Sequence, residues 1–88
     1  MIMETVLVRN KDGLHARPAM LLSKAAAKYI SDLKIIKNGD ESKHCDPRSI
    51  LSILSLGAKN DDKITIYATG EDEAKAIAEL KQVLEQDF

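Results

Sequence analysis

The dipeptide Asn38-Gly39 constrains the fold more than any other part of the sequence. Both central positions of a two-residue hairpin need a positive φ, and Asn followed by Gly is the strongest short signal for such a turn. The residues before it, 33–37, are rich in Leu and Ile, whereas Asp40–Cys45 is polar and suits an edge strand. We therefore expect two strands joined by this turn, and at least one antiparallel pair in the sheet.

Two further strands follow from hydrophobic patterning. Residues 2–8 are apolar and β-branched apart from Glu4 and Thr5, which predicts a strand with one buried face. Residues 63–68 alternate between polar and apolar side chains with a period of two, which predicts another strand. Together with the hairpin, these segments make a four-stranded sheet the expected framework.

Apolar residues at helical spacing predict three helices. The first covers 19–29, the second begins within 46–49 and stops at Gly57, and the third opens at 69–70. Acidic residues at 71–73 complement the positive end of the third helix. The side chains expected on the solvent face of the first helix are Ser23, Lys24 and Lys28.

The expected order of elements is therefore β-α-β-β-α-β-α. Each amphipathic element must bury its apolar side against another layer, so we expect the helices on one face of the sheet. Residues 1–88 are expected to form a single α+β domain, because a chain of this length supplies one thin core.

Charge and composition exclude several classes of function. The 13 basic and 14 acidic residues leave a net charge of −1, which gives no bulk attraction to nucleic acid or to an anionic membrane. No apolar run approaches the ~20 residues that span a bilayer, and the N-terminus has no signal-peptide pattern. Cys45 is the single cysteine, which excludes an internal disulfide and favours a reducing, cytoplasmic setting.

The segment at 12–19, Asp-Gly-Leu-His-Ala-Arg-Pro-Ala, leads from a turn into the first helix. Pro18 fits the first turn of a helix, so His15 is expected just outside the helix N-terminus, where N–H groups and the helix dipole stabilise phosphate. Arg17 adds a cation that binds phosphate in a bidentate way. A neutral imidazole is a nucleophile, so the segment predicts a site that accepts and returns a phosphoryl group. The residues alone leave open that His15 is a solvated or capping side chain.

The run Gly-Leu-His-Ala-Arg-Pro-Ala at 13–19 resembles the active-site signature of the HPr family, the histidine phosphocarriers of the sugar phosphotransferase system. The resemblance extends over nearly the whole chain and implies an open-faced β-sandwich, a four-stranded antiparallel sheet covered on one face by three helices. It also implies that His15 is the phosphoacceptor through Nδ1 and that Arg17 binds the phosphate. The implied partners are enzyme I, which donates the group, and the IIA component of a sugar transporter, which accepts it.

A second segment, 48–58, resembles the family's second-helix signature. The resemblance implies that Ser49 is a regulatory serine, phosphorylated by an ATP-dependent HPr kinase/phosphorylase. Residue chemistry alone offers helix capping instead, with either Asp46 or Ser49 as the N-cap. The apolar residues expected to dock the partners are Ile50, Leu51 and Leu54.

This segment departs from the family pattern in places. Ser52 stands where the family usually has Gly, and Leu51 and Leu54 replace its common Met residues, which keeps the apolar chemistry but loses the adaptability of Met. Ser49 also lies a few residues later relative to the first signature, which implies a longer hairpin within 37–46. The candidates for the core side of this helix are Ile50, Ile53 and either Leu56 or Leu54.

Three other functions compete with the phosphocarrier. A regulatory HPr-like signalling module and a nitrogen-branch phosphotransfer protein share the same framework, whereas a stand-alone enzyme is not expected because one small core leaves little room for a substrate pocket. The sequence implies no cofactor and no metal, since His44-Cys45 lacks the further ligands of a zinc site and no base is placed beside the thiol. We expect a monomer.

Overall fold

The structure, a computed structural model, describes residues 1–86 and contains the seven elements in the predicted order. The elements are β1 (Ile2–Leu7), α1 (Ala16–Ala26), β2 (Asp32–Lys37), β3 (Asp40–Cys45), α2 (Ile50–Leu56), β4 (Lys63–Thr69) and α3 (Glu73–Glu85). The strands form one antiparallel sheet in the order β1-β4-β2-β3. The predicted α+β class and open-faced sandwich are confirmed.

The hairpin at Asn38-Gly39 forms as predicted. Asn38 and Gly39 have φ values of 52° and 70°, and they connect β2 to β3 through the pair formed by Lys37 and Asp40. The polar strand β3 lies at one edge of the sheet, where its charged side chains discourage pairing with another chain.

The core lies between the sheet and the helices. Alternate residues of the central strands are buried in it: Leu33, Ile35, Ile64, Ile66 and Ala68. Each helix adds at least one fully buried side chain to the same cluster: Leu22, Ile53 and Leu80. No helix within residues 1–86 is long and apolar enough to cross a membrane.

Helix α1 begins and ends three residues earlier than the predicted range of 19–29. It begins earlier because Pro18 is tolerated throughout the first turn, where N–H groups have no intrahelical partner. It ends earlier because the following chain is held from outside the helix: the Arg48 guanidinium donates from Nη2 to the carbonyl oxygens of Tyr29 and Ser31, at 2.6 and 2.8 Å. The sequence gives no local signal for this contact, since it joins residues 17 and 19 positions apart.

The prediction that Ser23 lies on the solvent face of α1 is wrong. Its side chain is buried, and its hydroxyl donates to the Met20 carbonyl at 3.0 Å. A short hydroxyl can turn back to its own helix in this way and thereby satisfy its hydrogen bond inside a packed interface.

Helix α3 begins at Glu73, later than the predicted opening at 69–70. Its N-cap is Asp72, whose side chain does not cap the helix but accepts hydrogen bonds from the backbone N–H groups of Ile30 and Ser31, at 2.9 and 3.0 Å. The Ser31 hydroxyl also donates to this carboxylate, and these bonds hold the pKa of Asp72 below its usual range, the Ser31 hydroxyl most of all. Asp72 therefore ties the loop between α1 and β2 to the start of α3.

Asp72→Ala is expected to lower the free energy of unfolding at neutral pH. Because the folded-state pKa is depressed, the carboxylate stabilises the fold above the ordinary Asp pKa of 3.8, and this stabilisation is lost as pH falls through the lower folded-state value. The difference between wild type and variant should therefore shrink below about pH 4. Denaturant unfolding between pH 7 and pH 2.5 measures this difference in unfolding free energy. The control is Asp32→Ala, because Asp32 is exposed. A difference that stayed constant over this range would contradict the assigned bonds.

Candidate functional site

His15 lies at the N-terminus of α1, as predicted. It is the N-cap residue, with extended backbone angles of φ −84° and ψ −167°, and its carbonyl accepts the first helical hydrogen bond from the N–H of Ala19 at 3.0 Å. The residue as a whole is half-buried, so part of it is open to solvent.

The side chain of His15 makes no capping hydrogen bond to the helix. The alternative in which the His15 side chain caps the helix is therefore wrong. Arg17 follows two positions later in the first turn of α1 with an exposed side chain. The first turn contains no acidic residue, so no carboxylate there opposes the positive end of the helix dipole.

The turn before His15 is fixed by close backbone contacts. Gly13 has a φ of 69°, and a Cβ built on it would lie 2.4 Å from the carbonyl oxygen of Ala58. The N–H of Leu14 donates to this same oxygen at 3.0 Å, and the Leu14 side chain is buried in the core. The backbone can approach so closely because Gly13 has no side chain, and the approach sets where His15 emerges.

The loop at 58–62 contacts this turn and the strand before it, and sequence reasoning missed these contacts. The Asn60 amide donates to the carbonyl of Asn10 at 3.0 Å, and the N–H of Asp61 donates to the carbonyl of Val8 at 2.8 Å. These contacts join segments about 50 residues apart in sequence. Such long-range contacts leave no local pattern, although the positive φ of 74° at Asp61 marks an unusual turn there.

Ser49 is the N-cap of α2, which decides between the two predicted capping residues. Its hydroxyl oxygen accepts a hydrogen bond from the N–H of Ser52 at 3.2 Å. Asp46 instead orders the preceding turn, because its carboxylate accepts from the N–H of Arg48 at 2.9 Å. Helix α2 ends at Gly57, as predicted. The serine hydroxyl is half-buried in this position.

Helix α2 carries an exposed apolar surface. Ile53 and Leu56 face the core, as predicted, but the prediction that Ile50 is also a core residue is wrong, because its side chain is 40% exposed. Two of its seven residues are buried in the core. Its exposed apolar residues, here called the α2 apolar patch, are Ile50, Leu51 and Leu54.

Met20 is a further exposed apolar residue that sequence reasoning missed. It is 52% exposed and lies one helical turn after Arg17, so both side chains are on one face of α1. Helix α1 packs against α2. The only signal in the sequence was a methionine at this spacing, which is equally typical of a core position.

Cys45 and His44 are the two other reactive side chains that the sequence analysis considered, and each has a defined environment. Burial, and then the negative charge of Asp46, raise the pKa of the Cys45 thiol to about 12, which suppresses the nucleophilic thiolate. His44 lies on the surface and donates from Nδ1 to the carbonyl of Glu41 at 2.9 Å. No group of three or more His, Cys, Asp and Glu side chains in the described part of the chain is arranged to hold a metal ion.

Comparisons with known proteins agree with this geometry. The family model described as "PTS HPr component phosphorylation site" matches residues 2–86. The phosphocarrier protein HPr of Mycoplasma pneumoniae is 42% identical over 82 residues, which cover 92% of this chain and 90% of that protein. The crystal structure of HPr from Thermoanaerobacter tengcongensis has a TM-score of 0.86 at 35% identity and covers 97% of this chain and 92% of that one.

A third relative is the catabolite repression protein Crh of Bacillus subtilis, described as a domain-swapped dimer. Its structure has a TM-score of 0.72 at 34% identity, covering 97% of this chain and 94% of that one. The extent of the family match, the identity to HPr proteins and the shared fold lead to one conclusion. The chain belongs to the HPr family, the phosphocarrier proteins of the phosphotransferase system.

Proposed function

We propose that this chain carries a phosphoryl group on His15, accepting it from phospho-enzyme I and passing it to the IIA component of a sugar transporter. The observation that carries the proposal is the uncapped ring of His15 at the N-terminus of α1, with Arg17 in the same turn. In this role the chain is a cytoplasmic protein substrate of phosphotransferases rather than a stand-alone enzyme.

The proposed transfer is an in-line displacement at phosphorus. The lone pair of His15 Nδ1 attacks the phosphorus, while the bond between phosphorus and the donor breaks and its electron pair returns to the donor. The ring proton stays on Nε2 or leaves to solvent. Since charge in the transition state lies on the equatorial oxygens, the N–H groups at the start of α1 and the Arg17 guanidinium stabilise it electrostatically.

Reversibility follows from the same features. A carrier must hold the phosphoryl group long enough to move it and must then release it to the next protein. One exposed guanidinium and one helix terminus stabilise the group moderately, because solvent screens both. This moderate stabilisation suits a transfer that runs in both directions.

We propose that the α2 apolar patch docks the partner proteins together with Met20. The four side chains are between 39% and 77% exposed, and they belong to the two helices that carry His15 and Ser49. A partner that covered this surface would bury apolar area on both helices, and this contact would position the phosphoryl donor and acceptor for in-line transfer.

We further propose that Ser49 is a regulatory phosphorylation site for an HPr kinase/phosphorylase. A phosphate at the N-terminus of α2 is compatible with the helix, but it places negative charge beside the α2 apolar patch. Desolvating this charge under a docked partner would weaken binding.

Two variants of Ser49 separate its capping role from its regulatory role. Ser49→Asp keeps a good N-cap and adds charge, so we expect unchanged stability and about a tenfold lower kcat/KM for transfer from enzyme I. Ser49→Ala loses the cap and adds no charge, so we expect a loss of about 1 kcal/mol in stability with kcat/KM nearly unchanged. Equal kinetics for Ser49→Asp and wild type would contradict the regulatory proposal.

A regulatory module that acts by binding partners is the second candidate, and the similarity to Crh favours it. The presence of His15 beside Arg17 supports the carrier, because partner binding alone does not require a nucleophile. A nitrogen-branch phosphotransfer protein would use the same site with a different acceptor. We take the monomer as the working state, and sedimentation of the purified chain distinguishes it from a swapped dimer.

The direct test of the proposed function is incubation with enzyme I and phosphoenolpyruvate, followed by mapping of the phosphate. We expect one acid-labile phosphate per chain, located on the peptide that contains His15. A protein that bound enzyme I without acquiring phosphate would favour the regulatory module, and phosphate on any other residue would refute the carrier assignment.

A further inference from the structure

The pairing of β2 with β3 is interrupted by extra residues on β3, and the proposed functions give these residues no role. Ile36 pairs with His44, whereas the next residue, Lys37, pairs with Asp40. Residues 41–43 consequently have no partner on β2, and we call them the β3 bulge. The bulge accounts for the longer hairpin expected from the sequence.

Specific hydrogen bonds give the β3 bulge a defined shape. The Asp40 carboxylate accepts from both the N–H and the hydroxyl of Ser42, at 3.0 and 2.6 Å. His44 donates from Nδ1 to the carbonyl of Glu41 at 2.9 Å, which closes the bulge at its other end. The β3 bulge is therefore an ordered segment at the edge of the sheet.

A cleft of about 450 Å³ lies between the β3 bulge and α2. This volume falls in the range of small-molecule sites, about 300–1,000 Å³. On the sheet side it is lined by Lys37, Lys43 and His44, and on the helix side by the hydroxyl-bearing Ser52 and Ser55. Neither His15 nor Arg17 contributes to the lining, so the cleft is distinct from the phosphoryl site.

The lining of the cleft is cationic. It includes two lysines and a histidine and no carboxylate, although acidic residues outnumber basic ones in the chain as a whole. Two carboxylates outside the lining interact with its lysines: Asp40, which is held by Ser42 and interacts with the charges of Lys43 and Lys37, and Asp62, which interacts with the charge of Lys37. The Lys37 ammonium lies 3.5 Å from the carbonyl of Gly57, which anchors it beside the end of α2.

We propose that this cleft binds a small phosphorylated metabolite. Its phosphate would lie between the Lys37 and Lys43 ammonium groups, which are compact phosphate-binding charges, while the hydroxyls of Ser52 and Ser55 donate to its oxygens. The uncharged remainder would contact Leu51 and Leu56 on the helix wall. Because Leu51 also belongs to the α2 apolar patch, an occupied cleft would alter the surface offered to protein partners.

The test is a titration of the full chain with pyrophosphate at constant ionic strength, followed by ¹H–¹⁵N spectra. We expect saturable shifts for the amides of 42–44 and of Ser52 and Ser55, separate from any shifts at Ala16 and Arg17. The double variant Lys37→Gln/Lys43→Gln should raise the dissociation constant read from these amides about tenfold or more. The control Lys63→Gln/Lys75→Gln has the same net charge, replaces two exposed lysines outside the cleft, and should bind as wild type.

Three outcomes would overturn the proposal. Shifts confined to Ala16 and Arg17 would mean that the phosphoryl site is the only anion site. Shifts that grow linearly, or equal losses in both double variants, would mean that pyrophosphate responds to surface charge alone. The result is independent of phosphoryl transfer, because it requires neither enzyme I nor an intact His15.

Discussion

His15→Ala is expected to accept no phosphate from phospho-enzyme I, with incorporation at background. The substitution removes the imidazole lone pair that we propose attacks phosphorus, while Arg17 and the helix terminus remain. The substitution is at a half-buried N-cap whose side chain makes no capping bond, so the fold should be preserved. Radiolabel from phosphoenolpyruvate, counted per mole of chain, measures the effect.

The chain supplies its own control in its other histidine. His44 is exposed on β3 and does not belong to the proposed phosphoryl site. His44→Ala should therefore be labelled to the same stoichiometry as wild type. Full labelling of His15→Ala, or loss of labelling in His44→Ala, would contradict the assignment of His15.

Gly13→Ala is expected to destabilise the protein by about 3 kcal/mol, a large part of the stability of a small domain. A Cβ at this position would lie 2.4 Å from the carbonyl oxygen of Ala58 and would stand on a backbone with a φ of 69°. The backbone must move apart, which breaks the hydrogen bond from Leu14 to Ala58 and shifts the residue that follows, His15. Phosphorylation should therefore slow even at temperatures where the variant is folded.

Gly39→Ala separates backbone strain from steric conflict. Gly39 has a nearly equal φ of 70°, but a Cβ there would meet no atom within 4 Å. We expect a loss of about 1 kcal/mol and normal phosphorylation. Equal destabilisation in the two variants, measured by denaturant unfolding, would show that the contact between Gly13 and Ala58 does not hold the site.

Local chemistry was sufficient to predict the hairpin and the strands. Asn38-Gly39 determines its own turn, because the positive φ values are properties of these two residues, and period-two alternation identifies β4 without knowledge of its neighbours. The helix bounds were less predictable. The end of α1 depends on Arg48 and the start of α3 on Asp72, and both hydrogen-bond to the loop at 29–31 from distant parts of the chain.

The candidate site divides in the same way. His15 at the N-terminus of α1 follows from Pro18 and the turn before it, so its position could be predicted from the sequence. The contact of Gly13 with Ala58 could not, because it forms only when the loop after α2 folds back onto the turn. Likewise, amphipathic spacing could not assign Ile50 on a helix of seven residues, where a small rotation exchanges core and surface.

The most direct measurement is nuclear magnetic resonance of the ¹⁵N-labelled imidazoles after phosphorylation by enzyme I. We predict that Nδ1 of His15 couples to phosphorus, that the amides of Ala16 and Arg17 shift with it, and that the ring of His44 is unchanged. Phosphorus on the ring of His44, or a phosphorylated chain in which the start of α1 does not respond, would contradict the claim that this helix terminus holds the group.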